Sequence, residues 1–264
     1  MPALPPLLDN KHPKSPSVFR PAALLREARR QKGLAQVDVP PVCILDPDGD
    51  IVRALQRCGK AQRFDGWACY HTALDTFALA GTTVGILGCA VGAPFAVLIA
   101  EQMFASGCRF LISLTSAGQI VAAEPPPYFV VIDRALRDEG TSYHYAAAAD
   151  YAEADPRLVA MAVAALKQRN LHAVVGATWT TDAPFRETEE AIAAARAKRV
   201  LAVEMEAAAL YSFAHATGAA VLCLAHVSNT MGQNGQDFEK GEANGTAEAL
   251  QILGAIVAAS GAIE

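Results

Sequence analysis

The sequence lacks the spacing of a metal site. Its six cysteines, Cys43, Cys58, Cys69, Cys89, Cys108 and Cys223, are scattered with no Cys-x-x-Cys pair, and its histidines do not cluster. No structural zinc or other metal site is expected, and the cysteines read as reduced, mostly buried thiols of a cytoplasmic protein. Positive charge is also scarce: no basic run exceeds the short stretch Arg26 to Lys32, and the net charge is -5. The electrostatic footprint of a nucleic-acid partner is therefore missing. The last apolar stretch, Ala249 to Ile263, is interrupted by Gln251 and Gly254 and falls short of the ~20 residues of a membrane span. Pro2, Pro5, Pro6, Pro13 and Pro16 occupy the place of a leader's apolar region, so residues 1–20 are expected to form an extended arm. The glycines of GILGCAVGAP (Gly85, Gly88, Gly92) fit neither the dinucleotide nor the P-loop pattern, so no such cofactor is expected.

What the chain has in quantity is apolar residues, 52% of the total against 19% charged. That balance supplies a large core and predicts a homo-oligomer, in which a partner chain covers surface that carries little charge. Short apolar runs at Val42–Leu45, Thr82–Leu87, Phe110–Leu114, Tyr128–Ile132, Ala173–Ala177, Val200–Val203 and Ala219–Val227 read as strands. Helical patterns fall at Ala22–Arg30, Ala93–Phe104, Pro156–Lys167, Glu187–Lys198, Glu206–Ala216 and Thr246–Ala259. The alternation predicts one domain over residues 21–264, an α/β fold with a three-layer α/β/α sandwich. Ligands of such folds sit where strands end. That directs attention to Ser113–Gly118, Trp179–Arg186, Glu204–Glu206 and Ser228–Thr230, and the expected ligand is a small molecule.

Glu204 and Glu206 in VLAVEMEAAALYSF are hard to explain as helix-dipole partners alone, each gaining roughly 0.3–1 kcal/mol. On a helix, positions i and i+2 point about 200° apart, which turns one carboxylate inward or toward a cleft, where a substrate hydroxyl is a suitable partner. Thr115 and Ser116 of LTSAGQI read either as an oxyanion or phosphate cradle or as a capped turn. The polar, aromatic stretch DEGTSYHY, with Tyr143 and His144, reads as a binding loop. In WTTDAPFRETEE, Thr181 or Asp182 serves as a helix cap, whereas Trp179, Phe185 and Arg186 suit a nucleobase through stacking and carbonyl recognition.

Together V-E-M-E-A-A at 203–208, the segment at 176–182, the G-T-S-Y-H-Y loop and S-N-T at 228–230 resemble the nucleoside phosphorylase family, nearest its uridine phosphorylase branch. The resemblance covers roughly Phe19 to the C-terminus. It implies a single α/β domain around a mixed, partly barrel-like sheet, and dimers grouped into trimers or hexamers with each site completed by a neighbour. The implied activity is cleavage of a nucleoside N-glycosidic bond, with phosphate as co-substrate and free base and ribose 1-phosphate as products. Glu206 would hold the ribose hydroxyls, with Met205 against the sugar and His12 reaching over from the arm. Phe185, Arg186 and Thr181 would hold the base. Asn229 would stabilise the leaving base by hydrogen bonding, in the place where purine-specific members keep an acid. Thr115, Ser116, Arg53 and Arg63 would face the nucleophile.

The sequence departs from the family where phosphate binds. The G-D-P-x-R turn becomes ILDPDGDIVR, and the R-x-G-T-x-G segment becomes Ser113-Leu114-Thr115-Ser116-Ala117-Gly118, so two cations are absent. A phosphate-independent hydrolase and a non-catalytic nucleoside-binding protein are the alternatives to a phosphorylase.

Overall fold

A computed structural model describes residues 5–230 and 242–262; residues 1–4 of the expected arm and the last two residues of the expected domain lie outside the described residues. The chain runs through α1 (Pro21–Lys32), β1 (Val42–Asp46), α2 (Asp50–Arg57), β2 (Gln62–Arg63), β3 (Asp75–Leu79), β4 (Thr82–Gly88), α3 (Ala93–Ala105), β5 (Phe110–Gln119) and β6 (Tyr128–Asp138). It continues with β7 (Tyr151–Glu153), α4 (Pro156–Gln168), β8 (Val174–Thr181), α5 (Glu189–Ala197), β9 (Ala202–Glu204), α6 (Ala207–Thr217), β10 (Ala220–Thr230) and α7 (Thr246–Ala259).

The ten strands form one mixed sheet in the order β10-β6-β8-β9-β5-β1-β4-β3-β2, with β7 added on β6. Because β10 also pairs with β5, in parallel from Ala220↔Phe110 to Thr230↔Gln119, the strands β10, β6, β8, β9 and β5 close into a ring. This is the partly barrel-like sheet that the resemblance implies. Helices cover both faces. Ala96, Val97, Ile99 and Met103 of α3 and Leu210, Tyr211 and Phe213 of α6 bury against one face. Ile51 and Leu55 of α2, Leu158 and Leu166 of α4, and Ile252, Leu253 and Ile256 of α7 bury against the other. Among the described residues no helix is long and apolar enough to cross a membrane.

Local chemistry explains several boundaries. Gly33, at φ 66°, closes α1, and Pro94 opens α3 in its first turn, where a missing N–H is harmless. Gly49 ends the turn after β1 at φ 74°, and a Cβ on Gly88 would lie 2.4 Å from Val52 Cγ1. The exit of β4 therefore packs directly on the β1–α2 turn, a closeness only glycine permits.

Four strands outrun their apolar segments. β5, β6, β8 and β10 continue through Gln119, Asp138, Thr181 and Thr230 because ladder partners persist past the last aliphatic residue. The segments 113–118 and 228–230 thus lie inside strands rather than after them. The short elements α2, β2, β3 and β7 had no counterpart in the apolar pattern. Residues 5–20 contain neither strand nor helix, and Leu7 of this arm lies beside Gly140.

Candidate active site

The two glutamates do not share a helix, which corrects the reading that turned one of them by helical spacing. Glu204 ends β9, and Glu206 occupies the N-cap of α6, which starts at Ala207. Glu204 is the helix anchor. Its Oε1 accepts the hydroxyls of Thr178 (3.1 Å) and Thr180 (2.5 Å), and its Oε2 accepts the Glu206 and Ala207 amides, each at 2.7 Å. Two of the donors that a helix start leaves without partners are thereby satisfied by one carboxylate.

Glu206 is placed differently. It is 1% exposed, its Oε1 accepts the Gly92 amide at 2.7 Å, and among the described residues its Oε2 has no hydrogen-bond partner. Gly92 stands at φ 91°, a conformation that favours glycine and that delivers this N–H from the start of α3. Burial and the neighbouring Glu204 push the Glu206 carboxyl up to about 8, offset in part by the Gly92 amide and the Thr115 hydroxyl. Burial also raises Glu204, but its four donors make it the better holder of the pair's first negative charge.

Thr115 and Ser116 lie on β5 alongside the turn that follows β1. The Ser116 amide donates to Asp48 Oδ2 at 2.8 Å. Asp46, 2% exposed, accepts the amides of Gly49 (3.2 Å) and Val52 (2.9 Å), and burial pushes it up to about 6, with Asp48 and Asp50 adding to the rise. Arg53 on α2 reaches the same turn: Nη2 donates to the Asp48 carbonyl (2.7 Å) and to Asp50 Oδ1 (2.8 Å), while Nη1 lies 3.4 Å from Cys89 Sγ. Asn229 sits on β10 just past a register shift, opposite Gly118, and its Oδ1 accepts the Ser228 hydroxyl at 3.3 Å. The shift follows Val227, one residue past the pairing of His226 with Ser116.

The segment expected to hold the base is open. Thr181 is buried at the end of β8, its Oγ1 accepting the Ala183 amide at 3.1 Å. It caps no helix, and neither does Asp182, whose Oδ2 accepts the Gly140 amide; Thr188 caps α5 by accepting the Ala191 amide. Between them Pro184–Arg186 forms a separate 3-10 turn on which Phe185 is 99% exposed and Arg186 is exposed as well. Burial alone pushes nearby Glu187 up to about 7. The stretch 138–145 is held by its own groups and by neighbours: Glu139 accepts the Thr141 and Ser142 amides, Arg137 stacks on Tyr143 at 4.4 Å, and the Tyr145 hydroxyl donates to Glu101 Oε1 at 2.7 Å. A groove of about 560 Å³ separates this loop from α3 and the arm, lined by Leu7, Phe19, Val97, Leu98 and Tyr145 among others.

The phosphorylase superfamily model matches residues 41–258. The chain belongs to that superfamily. It is 27% identical over 153 residues to the DeoD-type purine nucleoside phosphorylase of Dichelobacter nodosus, a match covering 55% of this chain and 62% of that protein. It is 25% identical over 188 residues to the uridine phosphorylase of Thermococcus kodakarensis, covering 66% of this chain and 68% of that one. The first of these matches therefore spans less than two thirds of its relative. Among solved structures, uridine phosphorylase from Vibrio fischeri superposes with a TM-score of 0.72 at 21% identity, covering 86% of this chain and 95% of that one. Purine nucleoside phosphorylase from Toxoplasma gondii in complex with immucillin-H gives 0.73 at 17%, covering 87% and 94%. These two likenesses establish the fold.

Within that fold, Thr115 lies beside Glu206, which follows Met205 in the chain, while Ser116 and Arg53 both bond to Asp48 of the β1–α2 turn and Asn229 on β10 pairs with Gly118. Four expected residues, Arg63, His12, Phe185 and Arg186, do not join them within one chain. Arg63 lies on β2 at the outer edge of the sheet, bonded to Asp75 Oδ1 at 2.9 Å. His12 is exposed on the arm, and Phe185 stands in solvent. Conversely, sequence reasoning passed over the Gly92 amide, whose only signal was a glycine just ahead of Ala-Pro at a helix start, and the bond from Ser116 to Asp48.

Proposed function

We propose that this member of the superfamily cleaves the N-glycosidic bond of a nucleoside and releases the free base. The observation that carries this reading is the Glu206 carboxyl, buried, held on one oxygen by Gly92 and without a partner on the other. A ribose hydroxyl donating to Oε2 would complete its hydrogen bonding. Donation to the anion favours ionisation, so sugar binding would turn a carboxyl that titrates near 8 into a carboxylate beside the sugar. As the bond to the base breaks, the sugar gains oxocarbenium character, and a fixed negative charge beside it is worth more in the transition state than in the ground state.

Met205, half-buried between the two glutamates, would lie against the sugar. Thr181, Arg186 and Phe185 would hold the base, and the Asn229 amide would hydrogen-bond the leaving base without giving up a proton. Because His12, Arg63 and Phe185 lie apart from Glu206 in one chain, we infer a dimer-based homo-oligomer in the cytoplasm whose sites draw on a neighbouring copy. No cofactor is needed for this chemistry. Phosphate is the nucleophile that membership in the superfamily suggests, with Arg53 and Arg63 as its cations.

The test is release of free base from a panel of uridine, inosine, adenosine and methylthioadenosine, with the sugar product identified. Cleavage of at least one nucleoside is expected, falling by roughly 10²- to 10³-fold in kcat for Glu206→Ala. Binding without turnover would make the protein a nucleoside-binding relative, and turnover unchanged in Glu206→Ala would remove the sugar role.

A further inference from the structure

Two buried thiols meet at the end of the sheet that the glutamates do not use. α3 starts at the Gly92 amide that holds Glu206 and ends at Ala105, so Cys108 lies a helix length, roughly 20 Å, from that carboxyl. There the chain entering β1 and the chain entering β5 run side by side. The Val39 amide donates to the Ser106 carbonyl at 2.8 Å, the Arg109 and Phe110 amides donate to the Pro41 carbonyl at 2.8 and 2.9 Å, and Cys43 pairs with Leu111. Cys43 and Cys108 both turn into the core on the α3 face, and their thiols are within hydrogen-bond reach of each other. Each also reaches a carbonyl, Cys43 that of Pro40 at 3.2 Å and Cys108 that of Phe110 at 3.4 Å. Room for the Cys43 sulfur comes from β4: Gly85 stands opposite Cys43, and a Cβ there would lie 2.8 Å from Cys43 Sγ. The other buried cysteines have different neighbours, Cys69 Sγ the His71 amide at 3.4 Å and Cys223 the Tyr211 hydroxyl, while Cys58 and Cys89 are exposed.

We propose that Cys43 and Cys108 are a latent dithiol that hydrogen peroxide converts into an internal disulfide, stapling the start of β1 to the start of β5. This goes beyond the N-glycosidic reading and does not depend on it. Sulfurs at hydrogen-bond separation need to close by roughly 1–2 Å to reach the ~2.05 Å of a disulfide. That movement falls to the two side chains, because the ladder already holds their backbones together. Cys108 is the point of entry, at 4% exposed against 0% for Cys43. Its thiolate attacks one peroxide oxygen, the O–O bond breaks, and the departing hydroxide takes the thiol's proton as water, leaving Cys108 as a sulfenic acid. The Cys43 sulfur then attacks the Cys108 sulfur, the S–O bond breaks, and the oxygen leaves with the Cys43 proton as a second water. The two sulfurs together lose two electrons and the peroxide gains them. The Cys108 contact, and then burial, push the Cys43 thiol up, which keeps its thiolate scarce and makes the closure slow. In a reducing compartment the pair stays as thiols. Once formed, the bond closes the loop from Ile44 to Gly107, which contains α2, β2, β3, β4 and α3, and so removes freedom from the unfolded chain.

Two measurements on the full chain decide this. The exposed Cys58 and Cys89 are first capped with N-ethylmaleimide under native conditions, so that they cannot form disulfides of their own. The capped protein is then held in hydrogen peroxide, mapped by mass spectrometry of its peptides without reduction, and melted before and after. The map should show the Cys43 and Cys108 peptides joined and two hydrogens lighter than the free pair. Tm should rise by roughly 5 °C or more, and dithiothreitol should undo the rise. Cys43→Ala and Cys108→Ala should each abolish the joined peptide and the dithiothreitol-sensitive rise, whatever their own starting Tm. The wild-type map decides the matter even if a variant fails to fold. Recovery of Cys43 and Cys108 as free thiols, or of Cys108 as a sulfinic acid with Cys43 untouched, overturns the proposal. So does a joined peptide with no gain in Tm, and so does an equal dithiothreitol-sensitive rise in either variant, which would assign the bond to other cysteines. None of these outcomes depends on whether a nucleoside is cleaved, so the staple and the N-glycosidic reading stand or fall separately.

Discussion

The two ends of the site are built in opposite ways. At the sugar end, Glu204, Glu206, Thr115 and Asp46 are buried, and each carboxylate is fixed by backbone amides delivered from a different element. At the base end, Phe185 is 99% exposed and Arg186 stands on a short 3-10 turn. A closed sheet explains the first arrangement. The ring of β10, β6, β8, β9 and β5 sets strand ends side by side, so residues far apart in sequence meet without help from loops. The base end hangs on a connection between β8 and α5 and gains nothing from that closure. On the proposed reading, one chain preorganises the groups that would meet the sugar and the nucleophile, and it leaves recognition of the base to a part that needs something more.

The sharpest way to break the comparison is to remove the anchor of the rigid end. Glu204→Ala leaves two hydroxyls and two backbone amides without their acceptor in the interior. Each such group costs about 1–3 kcal/mol. We expect a loss of at least 3–5 kcal/mol, read as a collapse of Tm or as failure to fold. Glu204→Gln, which keeps one acceptor oxygen, should recover part of it. An unchanged Tm in Glu204→Ala would mean that α6 is anchored elsewhere.

Glu206 offers a test with two signs. Its folded value of about 8 lies above the ordinary 4.5, so the protonated form is the one that folding favours. The stability it contributes is complete below about pH 4.5 and is lost as pH rises through about 8. Glu206→Gln imitates the protonated carboxyl at every pH. Its Tm should match the wild type near pH 5 and exceed it above pH 8, by the equivalent of a few kcal/mol at most. The same variant should be poor in turnover, because the negative charge beside the sugar is gone. A variant whose melting follows the wild-type pH profile would sink the assignment of Glu206 as the buried titrating group.

How much of this was visible in the sequence follows the same division. Glu206 was legible as a candidate because a short motif sits where β9 hands over to α6. The alternation of elements was legible because buried strands and amphipathic helices leave different apolar periods. Strand lengths were not, since β5 extends through Ser116 to Gln119 on the strength of partners in β10 and β9, and a ladder partner leaves no mark on the strand it extends. Glu204 was misread for a related reason: its four donors come from β8 and from the start of α6, and only the fold puts them around one carboxylate. The bond from Ser116 to Asp48 joins residues 68 positions apart. The sequence displays the loss of two family arginines, while the carboxylate on the amide belongs to tertiary structure.

The smallest expected effect belongs to Phe185, and it tests what the open end lacks. In one chain the ring is 99% exposed, so Phe185→Ala should leave Tm and the sedimentation coefficient unchanged. If the ring stacks on a bound base, the variant should raise KM by roughly two- to tenfold, the ~0.5–1.5 kcal/mol typical of an aromatic pair, with kcat nearly constant. The constancy of kcat matters, because the groups proposed to hold the sugar and the nucleophile lie on other elements than the 3-10 turn. A fall in kcat equal to the rise in KM would mean that closure of this segment over the base helps to assemble the rigid end. No change in either parameter would place the base elsewhere, with Phe185 serving a contact between copies that sedimentation at low concentration would then reveal.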